Sequence, residues 1–187
     1  QLPTGVTDEF SWSRYLTGRT FKDDIRPLLH SRTIRMSVIG LATFWAVGQV
    51  MLAAFPAFYK ETLGNDNTIL VQGILACSGI GIALGSMFAG KFSRNYIETG
   101  LLPLGALGIA IGLWLLPGST SGWAFAAIFL FVGFSGGVFI VPLNALIQYY
   151  AGEHELGKTL AANNWVQNVV MLSFLVLTAI FAYFGWS

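Results

Sequence analysis

Charge is scarce in this sequence. Asp, Glu, Lys and Arg together make up 10% of the residues, where a soluble domain carries about 25%. Five runs have none of these residues, and no His either: 36–59, 68–90, 99–117, 123–151 and 165–186. A bilayer core needs ~20 apolar residues of helix to cross it, and each run is near or above that length. The absence of Asp, Glu and His from the runs excludes a proton relay within them. A net charge of +1 gives no electrostatic footing for nucleic acid. Cysteine is nearly missing too. Cys77 stands alone, so no intrachain disulfide forms, and a small packing residue is the plain reading. Histidine is limited to His30 and His154. Neither opens the His-x4-Asp pattern of glycerolipid acyltransferases, because Arg35 and Thr159 stand at the aspartate place. No His/Cys/Asp cluster has metal-ligand spacing, and no Gly-rich phosphate loop links a strand to a helix. The reading is therefore not an enzyme, with no metal and no cofactor.

What is present is hydrophobic: 55% apolar and 14% aromatic residues. The expected fold is all-α, a polytopic transmembrane helical bundle. Residues 1–35 read as a cytoplasmic linker segment and 36–187 as a transmembrane domain of five helices, one per run. Basic residues set the orientation. Arg14, Arg19, Lys22, Arg26, Arg32 and Arg35 precede the first run, Lys91 and Arg94 follow the second, and Lys158 follows the fourth. The alternate side holds Lys60 alone. The positive-inside bias then places the N-terminal segment in the cytoplasm. That segment interleaves charge with Trp12, Tyr15, Leu16, Phe21, Ile25, Leu28 and Leu29, a composition for lying on a membrane surface or for a solvated linker, with Pro27 interrupting any single helix. The chain begins on Gln1 and closes on Ser187 as the fifth run finishes. With an odd number of spans, it reads as a piece of a longer protein lacking a sixth helix.

Small residues supply the packing signal. Gly73, Cys77, Gly81, Gly85 and Ala89 recur every four positions; Gly105, Gly108 and Gly112 mark the third run, and Gly133 and Gly137 the fourth. Such spacing lets helix backbones approach where lipid gives no hydrophobic drive. The fourth run is about 43 Å long as a helix, and Pro142 within it predicts a bend, either static or lining a cavity. Polar side chains in the runs are neutral. Gln49 lies mid-span in the first, and Asn144 and Gln148 share a face of the fourth. Amides in lipid need partners, so these three face the interior, as interhelical hydrogen bonds or as contacts to a substrate or gate. Asn163 and Asn164 stand just before the fifth run and read as N-caps.

Several motifs are specific. Gly85-Ser86-Met87-Phe88-Ala89-Gly90-Lys91-Phe92-Ser93-Arg94 resembles the Gly-x4-(Asp/Gly)-Arg/Lys-x-Gly-Arg gate loop of the major facilitator superfamily, with Gly90 at the acidic place and Ser93 at a glycine place. The segments Ile97 to Gly108 (IETGLLPLGALG), Val141 to Gln148 (VPLNALIQ), Glu153 to Lys158 (EHELGK) and Leu160 to Asn164 (LAANN) resemble bacterial lysophospholipid transporters of that superfamily. Phe44, Trp45, Pro56 and Ala57 also fit.

The resemblance implies helices seven to eleven of a twelve-helix transporter, part of its C-terminal half, preceded by the central linker. It implies inward movement of lysophospholipid, chiefly lysophosphatidylethanolamine, across the bacterial inner membrane. It also implies partners: membrane lipid, the N-terminal half and sixth helix of the same protein, and an acyltransferase, separate or fused to the chain. Candidate substrate contacts are Phe44, Trp45, Gln49, Asn144 and Gln148; candidate gate-loop residues are Gly85, Gly90, Lys91 and Arg94. Two other readings stay open: a drug or sugar efflux permease, and the membrane anchor of a fused acyltransferase.

Overall fold

The computed structural model describes residues 31–64, 67–93 and 96–185, apart from the side chains of Glu153 and His154. Most of the N-terminal segment and Arg94 of the gate loop lie outside the described residues. Five helices are long and apolar enough to cross a membrane: α1 (Arg32–Leu63), α2 (Thr68–Phe92), α3 (Leu101–Gly118), α4 (Gly122–Gly152) and α5 (Glu155–Tyr183). No strand occurs among the described residues. The protein is an all-α polytopic bundle.

Local chemistry sets the helix ends. Ser31 and Ser121 accept hydrogen bonds from the backbone N–H of Ile34 and Ala124, and Asn67 accepts from Ile69 and Leu70 at 3.0 and 3.3 Å. These side chains satisfy donors that the first helical turn leaves open. Gly64 ends α1 in the left-handed region (φ 62°), its N–H returning to Lys60 O. The last turn of α3, Leu116–Gly118, tightens to a 3-10 helix at Pro117. Trp114 and Trp123 flank this turn and are exposed, as aromatic residues are where a bundle meets the membrane interface.

One difference from the sequence reading concerns α5. Backbone angles stay helical through Pro142, whose ring is buried, and α4 ends where the fourth apolar run does, at a break on Gly152 with φ 69° and ψ 157°, a combination essentially restricted to glycine. Beyond it α5 starts at Glu155, about three turns earlier than the apolar run. Asn163 and Asn164 therefore lie inside the helix and do not cap it. Most of the residues before them, Glu155, Leu156, Lys158, Leu160, Ala161 and Ala162, are good helix formers, so charge near the membrane surface does not end it.

The bundle is organised around α4. Helices α1, α2 and α3 all pack on it, and α1 and α2 touch each other little. Glycines on α4 make this possible. A Cβ at Gly133 would meet Ser78 O of α2, and one at Gly137 would meet Ile82 O. Reciprocally, Gly81 lies against Leu130 O and Gly85 against Phe134 O. Gly105, Gly108 and Gly112 of α3 rest on Phe139, Ser135 and Val132. Gly136 receives the Phe44 ring of α1. The upper ridge of α2 is different: Gly73 meets nothing within 4 Å.

Two apolar clusters close the ends. Toward Arg32, Ile34, Val38 and Leu41 pack with Ile140, Leu143, Ile147 and Ala162. Toward Lys60, Phe55 and Tyr59 pack with Ile74, Leu75, Phe125 and Phe129. Phe55 meets Phe129 edge-on, with ring centroids 4.6 Å apart, a favoured aromatic geometry.

The same small change should act with opposite signs at two glycines of this bundle. Gly137→Ala drives a methyl into α2 backbone and should cost about 1–3 kcal/mol. Gly79→Ala adds a methyl where nothing lies within 4 Å and should be neutral or stabilising by up to about 1 kcal/mol. Thermal unfolding of the detergent-solubilised protein measures both.

Candidate functional site

The Phe44 ring of α1 rests on Gly136 of α4 and also lines a partly open cavity of about 370 Å³ to which all of α1 to α4 contribute. Phe44, Trp45, Gln49, Val47 and Met51 come from α1, Ser78 and Ile82 from α2, Ala106, Ile109 and Leu113 from α3, and Phe129, Val132 and Phe139 from α4. Phe44 and Trp45 stand edge-to-face at 5.2 Å, and Phe44 lies 6.5 Å from Phe139. The polar side chains of the lining are Thr43, Gln49 and Ser78. Ser78 donates to Leu75 O of its own helix at 2.7 Å. Among the described residues no ionisable side chain lines the cavity. A wall of this kind takes an apolar body and offers a few neutral hydrogen bonds at one side.

The candidate residues separate in space. Phe44, Trp45 and Gln49 come together on the cavity. Asn144 is half-buried on α4 outside its lining, and its Nδ2 donates to Ile140 O at 3.0 Å. Gln148, one turn further, is exposed. Gly85 is buried against Phe134 in the α2–α4 contact, whereas Gly90 and Lys91 are exposed at the end of α2. Among the described residues no group of three His, Cys, Asp or Glu is placed to hold a metal.

One polar face was read only in part from the sequence, which placed the Gln167 amide toward the bundle but did not join it to Thr159 and Asn163. Thr159, Asn163 and Gln167 are all buried on one face of α5. Gln167 Nε2 donates to Asn163 Oδ1 at 2.9 Å, and the Thr159 hydroxyl has no partner. The four-residue spacing was visible in the sequence. It carried no meaning while the helix was placed from residue 165 onward.

Comparison with known proteins sets this bundle in a family. The model of the Major Facilitator Superfamily matches residues 5–186. The chain belongs to the major facilitator superfamily. Among curated proteins, this facilitator chain is 31% identical over 170 residues to the lysophospholipid transporter LplT of Klebsiella pneumoniae, covering 89% of the chain and 42% of that protein. It is 30% identical over 179 residues to the lysophospholipid transporter LplT of Yersinia pestis, covering 94% of the chain and 43% of that protein. The facilitator chain thus spans well under half the length of these relatives. No solved structure matches it.

The α5 amide pair predicts a signature of mutual dependence. Asn163→Leu alone leaves the buried Gln167 amide without its acceptor and should cost about 1–2 kcal/mol. Asn163→Leu with Gln167→Met removes both partners and should recover part of that loss. A double-mutant cycle by denaturant unfolding in detergent checks it.

Proposed function

We propose that the protein containing this chain moves lysophospholipid, lysophosphatidylethanolamine in particular, inward across the bacterial inner membrane by alternating access. The observation that carries this reading is the cavity: apolar walls, neutral polar groups at Gln49 and Ser78, and no ionisable lining among the described residues. A lysolipid has a single apolar chain and, in this class, a zwitterionic head. Charge-free walls match a net-neutral cargo, since an unpaired charge at this depth costs at least ~2.5–3.5 kcal/mol. The names of the relatives support the same substrate class. In this reading Phe44 and Trp45 form wall and Gln49 meets the head. Asn144 and Gln148 contribute toward the Arg32 end.

The chain spans 42% of the Klebsiella relative, so the rest of the transporter is assigned to an N-terminal half and a sixth helix of this half. These five helices then correspond to helices seven to eleven. Alternating access is the rocking of the two halves about a central site. An acyltransferase that consumes the delivered lysolipid is the natural partner. The transporter itself carries out no covalent chemistry. Residues 1–35, Lys91 and Lys158 are placed on the cytoplasmic side by the positive-inside bias.

Four outcomes test this. In spheroplasts lacking their own lysolipid transporter but keeping an acyltransferase, the full-length protein should restore conversion of labelled lysophosphatidylethanolamine into diacyl lipid. No conversion, with the protein present in the membrane, returns the reading to a general facilitator. In the same assay Gln49→Leu should lower the rate several-fold at unchanged abundance, the loss of a hydrogen bond worth about 1 kcal/mol. Asn144→Leu and Gln148→Leu should lower it less, because neither lines the cavity. For topology, in a Cys77→Ala background, Gly64→Cys should react with an impermeant maleimide from outside the cell and Gly90→Cys only after permeabilisation.

A further inference from the structure

We draw no further inference here: the strongest candidate, the buried polar face of α5 at Thr159, Asn163 and Gln167, carries nothing beyond helix packing, because Asn163 and Gln167 already bond to each other, the Thr159 hydroxyl is enclosed away from the cavity, and nothing in the structure shows what it would bind.

Discussion

Backbone contact through glycine is the interaction on which this bundle depends. In lipid, two apolar helix faces gain little by meeting, because the tails they leave are equally apolar. What remains is close packing, and that needs side chains absent at the contact. A short stretch of α4 provides it on three sides. Gly133 and Gly137 admit α2, Gly136 admits the Phe44 ring of α1, and Ser135 and Val132 receive the glycines of α3. The three helices reach α4 more than one another. The cavity is the direct result: helices held to a common neighbour leave a gap where their own faces do not close.

The polar groups divide by what already occupies them. Asn144 and Ser78 spend donors on carbonyls of their own helices, as side chains in lipid commonly do. Asn163 and Gln167 satisfy each other. Gln49 reaches the cavity wall. In the proposed reading, a neutral amide in that place can form and release hydrogen bonds to a head group without the desolvation penalty of a buried charge, and moderate contacts of this kind serve both binding and release.

Much of the fold could be read from the residues, and the reasons are specific. Length, apolarity and the absence of charge located all five helices. The spacing of Gly81 and Gly85 and of Gly133 and Gly137 marked the contact that joins α2 to α4. The start of α5 was not legible, because the apolar run begins at Trp165 whereas helix formation at Glu155–Asn164 owes nothing to apolarity. That shift hid the buried face of Thr159, Asn163 and Gln167. Of the candidate residues, Phe44, Trp45 and Gln49 are neighbours on one helix, and all three line the cavity. That Ala106, Ile109 and Leu113 line a cavity was not legible, because in the sequence they look like any lipid-facing residues. The spacing of Asn144 and Gln148 gave them a common face but not the direction in which it points.

The position of α4 in the chain has a consequence for biogenesis. Helices α1, α2 and α3 leave the ribosome before the helix that binds them together. Each must enter the bilayer with its α4-facing side unpartnered and with few contacts to its predecessors. The ordering step arrives only when α4 inserts, and it then engages three waiting helices at nearly one depth. A delay in synthesis just before Gly122 would prolong the exposed stage, and the membrane quality-control proteases would meet it there.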